Sequence, residues 1–133
     1  GIITLLLAAW DKKKDFIYTL ISSFIENNHE PKEVDLIIIC KEDNSIEHIV
    51  KRETFSLKDN EIINYLHQTN DKNKENIFEH RDETVIFMTA PDSYGNAIAF
   101  IAVYDSKEKA VQFLPLIRLI WYALKKVLQP KNS

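Results

Sequence analysis

The chain has almost no glycine: Gly1 and Gly95 are the only two in 133 residues. Phosphate cradles that need several glycines, the Rossmann and P-loop types among them, are therefore excluded. Cysteine is nearly absent as well, and the single Cys40 can form neither an internal disulfide nor a thiolate metal site. A reducing, cytoplasmic setting is the expectation. Charge of one sign is also missing. Seventeen Lys and Arg stand against twenty Asp and Glu, a formal net charge of −3, which offers no basic footprint for a nucleic-acid backbone. The four histidines, His29, His48, His67 and His80, contain no pair at a metal-binding spacing on a helix, so neither a metal nor any other cofactor is expected.

No apolar run reaches the roughly 20 residues that a bilayer crossing requires. The run Ile2 to Trp10, followed by Asp11, Lys12, Lys13, Lys14 and Asp15, has two readings. It is either an ordinary buried helix or the cytoplasmic end of a membrane span, with Trp10 at the interface and the lysines beyond it. A start at Gly1 rather than Met suggests a piece cut from a longer protein, its parent anchored ahead of residue 1 under the second reading.

What is present suits one domain over residues 1–133, because 45% hydrophobic residues fill one sizeable core and would starve two. Ile3, Leu6, Trp10, Ile17, Leu20 and Phe24 continue one helical stripe to about Glu26. Val34 to Cys40 reads as a buried strand, Asp43-Asn44-Ser45 as a hairpin turn, and Ile46 to Phe55 as the returning strand. A helix opens at Ser56 with Asp59 three positions on, and ends near Thr69. Asn70 to Glu75 carries no apolar period and reads as a surface loop. Two strands, Thr84 to Ala90 and Ala97 to Tyr104, precede a final helix capped by Asp105 or Ser106 and stopped at Gln129-Pro130.

That final helix carries two apolar stripes. Leu114, Ile117, Trp121, Leu124 and Leu128 step by threes and fours like coiled-coil core positions, and Phe113, Leu116, Ile120 and Val127 run beside them. One arrangement makes the first stripe a homodimer interface through the terminal helices. The other lets the first helix take up the extra apolar face within one molecule.

The order of elements resembles the GAF family of sensor domains. The segment Tyr94-Gly95-Asn96-Ala97-Ile98-Ala99-Phe100-Ile101-Ala102-Val103-Tyr104-Asp105 and the helix after it carry the likeness, with Gly95, Asp105 and Phe113 at the family's turn glycine, closing acid and helix-entry aromatic. The resemblance implies an α+β fold: an antiparallel sheet with the N- and C-terminal helices packed on one face and a small-molecule pocket on the other. It also implies a regulatory domain coupling ligand binding or dimerisation to an attached output module in bacterial signalling. Ala97, Ala99 and Ala102 stand where family members carry more glycine, and the middle of the chain is short for a pocket.

The expected lining of such a pocket is Ile38, Cys40, Phe55, Tyr65, Phe87 and Phe100, with the plain alternative that all six are core. Cys40, after three isoleucines, reads as a small buried hydrophobe, and His67 as a half-exposed helix residue rather than a haem ligand. His80-Arg81-Asp82 lacks every companion of a kinase catalytic loop and reads as a solvated turn. No constellation of catalytic residues stands out, so an enzyme is not expected. The rival readings are a ligand-free dimerisation module and a roadblock- or longin-like scaffold that binds partner proteins through its sheet edge and helices.

Overall fold

The computed structural model describes residues 2–27, 31–40, 42–50, 57–69, 74–91 and 96–128. The fold is α+β. Helix α1 (Ile2–Asn27) leads into strands β1 (Glu33–Ile39) and β2 (Ile46–His48), then helix α2 (Asp59–Thr69). Strands β3 (Lys74–His80), β4 (Glu83–Pro91) and β5 (Ala97–Tyr104) follow, and helix α3 (Lys107–Leu128) is last. The strands form one five-stranded sheet in the order β2-β1-β5-β4-β3, and every neighbouring pair is antiparallel.

The sequence of β5, Ala-Ile-Ala-Phe-Ile-Ala-Val-Tyr, has no polar side chain except a phenol, and all eight residues are buried. A strand with no solvent face needs a packed layer on each side. Ile98, Phe100, Ala102 and Tyr104 face a core shared with Ile17, Ile21 and Phe24 of α1 and with Leu114, Ile117, Trp121 and Leu124 of α3. Ala97, Ala99, Ile101 and Val103 face the opposite core, closed by Leu57 and by Ile62 and Leu66 of α2. The terminal helices thus share one face of the sheet and α2 covers the other.

Two aromatic pairs fasten α3 to β5. The Phe100 and Trp121 rings lie 6.4 Å apart and 8° from parallel, and those of Tyr104 and Phe113 5.8 Å apart and 7° from parallel. Arg118 of α3 reaches edge strand β3 with a two-pronged contact to Glu75, both N–H···O distances being 2.7 Å. Lys14 of α1 pairs with Glu47 on the other edge strand, β2, so α1 lies over the β2 side and α3 over the β3 side. The start of α3 is secured by Ser106, whose Oγ accepts the Lys109 N–H at 3.2 Å and whose carbonyl accepts that of Ala110.

The stripe expected to form a homodimer interface is internal. Leu114, Ile117, Trp121, Leu124 and Leu128 are all buried within this one chain, so they have no surface to offer a second copy. The companion stripe is taken up within the chain as well: Ile120 is buried, and Phe113, Leu116 and Val127 pack at the edge of the same core, Phe113 against Tyr104 of β5.

Three other expectations change. β3 occupies part of the segment read as a loop. Its sequence, Lys-Glu-Asn-Ile-Phe-Glu-His, shows no alternation, because one face carries Glu75 and Glu79 and the other Asn76 and His80. Pairing along the length of β4 makes it a strand. β2 ends at His48, and the stretch to Phe55 lies in part outside the described residues. For α2 the capping residue is Lys58: its N–H donates to Glu61 Oε1 at 3.0 Å and its carbonyl accepts the Ile62 N–H. Of His80-Arg81-Asp82, expected as a solvated turn, Arg81 and Asp82 form the exposed turn, with φ of 50° and 66° giving the double left-handed geometry of a two-residue hairpin, whereas His80 is the buried last residue of β3.

Removing a fully buried ring leaves a cavity as well as a transfer cost. Phe100→Ala is therefore expected to lower unfolding free energy by about 3–5 kcal/mol, and truncation of the exposed Leu119 by about 0.5 kcal/mol or less. Urea denaturation of the two variants checks the contrast.

Candidate functional site

A polar constellation centred on Asp35 interrupts the apolar core on the α2 side. Asp35 lies in the middle of β1 among Val34, Leu36 and Ile37 and is fully buried on the α2 side of the sheet. A buried carboxyl needs partners, since stripping it of water without replacement costs several kcal/mol, on the order of 2–7 even for a neutral polar group. It has two. Oδ1 accepts the Val50 N–H at 3.1 Å, and Oδ2 lies 2.6 Å from His48 Nδ1. The other ring nitrogen, His48 Nε2, lies 2.9 Å from Oδ1 of Asp59, the first residue of α2. The Ile49 N–H donates to the Leu36 carbonyl at 2.9 Å and holds this corner to β1.

The chain Asp35–His48–Asp59 connects a central strand, an edge strand and the helix that covers them. A neutral imidazole has one N–H, yet both ring nitrogens here face carboxyl oxygens. A further proton must therefore sit either on the ring or on Asp35. Burial pushes the Asp35 carboxyl above its ordinary range, against the pull of the His48 contact and the Val50 N–H. A protonated Asp35 donating to Nδ1, with Nε2–H donating to Asp59, satisfies every group without a buried charge. Either way both ring nitrogens of His48 are engaged, so the ring acts as a strut and has no lone pair directed at a substrate.

A second histidine meets the same helical turn. His80, at the end of β3 and buried, has Nε2 3.4 Å from Oε2 of Glu61. That separation is a loose ion-pair distance, beyond the usual hydrogen-bond range. The first turn of α2 thus faces His48 from one edge strand through Asp59 and His80 from the other through Glu61. Both histidines belong to the α2 face rather than to the solvated surface. The signal in the sequence was the acid of Val-Asp-Leu-Ile-Ile-Ile, a charge in a run otherwise fit only for burial.

The sheet divides the residues expected to line a pocket. Tyr65 and Phe87 lie on the α2 face, where their rings and that of Phe78 pack together, Tyr65 stacked on Phe78 at 4.1 Å. Ile38 and Phe100 lie on the terminal-helix face. These two pairs cannot line one cavity. Cys40 sits just past β1, half-buried, with its side chain hydrogen-bonded to Asp43. Phe55 lies outside the described residues. His67 is exposed on α2. Among the described residues no group of three or more His, Cys, Asp and Glu is placed to hold a metal ion, and no helix is long and apolar enough to cross a membrane.

No family model, curated protein or solved structure matches this chain.

Asp35 gives a signed pH prediction. Its folded-state pKa is raised, so its contribution is fully present below the ordinary carboxylate range and is lost as pH rises through the raised value. In Asp35→Asn the amide oxygen still accepts from Val50 and the amide N–H can donate to a neutral His48. The stability of the parent relative to Asp35→Asn should therefore fall as pH rises above about 4. Urea midpoints across pH check this, and a parent that gains on the variant over that range contradicts it.

Proposed function

We propose that this chain is a regulatory coupling domain of the GAF-like class, and that it works through the packing of its terminal helices against the sheet. The observation that carries the reading is the shared core of α1, α3 and the helix-side residues of β4 and β5. Ile17, Ile21 and Phe24 at one end of the chain contact the same buried cluster as Trp121 and Leu124 at the other. Close-packed cores do not deform smoothly, so a change in the sheet is passed to the angle or register of both helices. An output module attached at either end would receive it.

A second reading keeps the helices but omits the small molecule. It is favoured by the α2 face, where Ile37, Ile39, Phe87, Ala99, Ile101 and Val103 are all fully buried under α2 and the residues leading into it. Input then comes from a protein partner, as in the scaffold alternative. A ligand library that never raises the melting temperature favours this second reading, because a ligand bound only by the folded state must stabilise it.

Coupling has a direct test with an internal control. Ala99 and Ala102 lie three residues apart on β5 and are both fully buried, yet Ala102 faces the terminal helices and Ala99 faces α2. Overpacking either with leucine costs about 1–3 kcal/mol. Spin labels placed at exposed Thr19 and Val111, with Cys40 replaced by alanine and labelled protein diluted into unlabelled, report the distance between α1 and α3. Ala102→Leu should shift that distance and Ala99→Leu should leave it. Equal responses, or none, contradict coupling through the helix face.

A further inference from the structure

Helix α1 is longer than the sheet it covers. From Asn27 back to Lys14 it rises about 19.5 Å, which matches the roughly 20 Å of the seven-residue strand β1. Lys14 already stands at the far end of the sheet, because its partner Glu47 is paired with Ile38, one residue before β1 stops. The helix then continues to Ile2, about 18 Å further. Burial agrees with this overhang. From Asp11 to Phe16 five residues are exposed and Lys14 is half-buried, and Ile17 is the first buried side chain of α1 among the described residues. Those six positions go more than once round a helix of about 3.6 residues per turn, so the core has released α1 on every side there.

The stretch beyond that turn is apolar by sequence. Ile2-Ile3-Thr4-Leu5-Leu6-Leu7-Ala8-Ala9-Trp10 holds no charge and a single hydroxyl. The order of residues identifies what it meets. A protein groove or a second helix calls for polarity that changes around the helix, apolar on one side and polar on the other. Here polarity changes along the axis, from the apolar run through Trp10 to Lys12, Lys13 and Lys14. That is the gradient of a lipid bilayer, from hydrocarbon through the interface to the headgroups. We infer that residues 2–10 of α1 enter a bilayer, with Trp10 at the interface and the three lysines among the headgroups. The run rises about 13.5 Å against a hydrocarbon core of about 30 Å, so it enters one leaflet.

The second terminal helix points its end the same way. Phe113 stacks on Tyr104 and Trp121 on Phe100, so α3 runs antiparallel to β5 and brings Lys125 and Lys126 to the end of the sheet from which α1 emerges. Asp11 and Asp15 flank the lysines of α1, and Glu42, Asp43 and Glu47 lie at that end as well. Insertion of the apolar run therefore supplies the affinity, and the lysines orient the domain on the surface.

This docking goes beyond the coupling reading, and the two fail separately, since the Thr19–Val111 distance is measured without lipid. Flotation of the whole chain with vesicles of three parts phosphatidylcholine to one part phosphatidylglycerol tests it. The parent should float with the vesicles. Its Trp10 emission, taken as the difference from Trp10→Phe so that buried Trp121 cancels, should move to shorter wavelength. Leu5→Glu with Leu6→Glu should weaken vesicle binding by about tenfold or more while keeping the parent's urea midpoint. Lys12→Glu with Lys13→Glu, which leaves the Lys14–Glu47 pair in place, should weaken binding by about two- to tenfold on these vesicles and by less on pure phosphatidylcholine. A parent that stays at the bottom of the gradient overturns the inference, whether or not it self-associates. So does a Leu5→Glu, Leu6→Glu variant whose urea midpoint falls, which would place the run in the core, and so does a lysine reversal that acts equally on both kinds of vesicle.

Discussion

The burial of β5 on both faces is the constraint from which the rest of the architecture follows. A strand of eight buried residues at the centre of a sheet cannot exist in water without a layer above and a layer below. The chain supplies those layers from different places: its two ends provide one and its middle the other. The alternating small and large residues of β5 decide the fit. Phe100 and Tyr104 project into the terminal-helix layer and meet Trp121 and Phe113 there, while Ala97 and Ala99 let α2 and its approach settle close to the opposite face.

The two layers are held by different physics. On the terminal-helix side the contact is apolar and wide, with ion pairs at its margins, where Arg118 holds β3 and Lys14 holds β2. Exposed pairs of that kind add about 0–1 kcal/mol each, so they set register more than stability. On the α2 side the helix is short, and its first turn is fixed by the hydrogen-bonded chain of Asp35, His48 and Asp59. A short helix held partly by polar contacts is the more easily loosened of the two layers. The terminal-helix layer is therefore suited to carrying a change, and the α2 corner to loosening as pH rises.

Most of the fold could be read from period alone, and the exceptions share a physical cause. β1, β4, β5 and α3 announce themselves because burial on a regular element imposes a regular apolar pattern. β3 does not, since it is an edge strand with Glu75 and Glu79 turned one way and Asn76 and His80 the other, and its partner β4 does the work of defining it. The expected pocket failed on parity. Ile38 and Phe100 share a face, Phe87 and Tyr65 share the other, and neighbours in sequence pattern were grouped without assigning each to its side of the pleat. The expected dimer stripe was a genuine seam, but its partners are the sheet and α1. Asp35 was the legible clue that went unused, because one acid in a run of branched apolar residues states in advance that a buried donor must exist nearby.

The central claim is that α1, α3 and the sheet are one cooperative body. Native-state hydrogen exchange under increasing denaturant measures it most directly. The account predicts that amides in residues 17–25 of α1, residues 117–124 of α3 and all of β5 are exposed in the same opening, with the same free energy and the same denaturant dependence. A separate, lower-energy opening that releases α1 while α3 and β5 stay protected would contradict it.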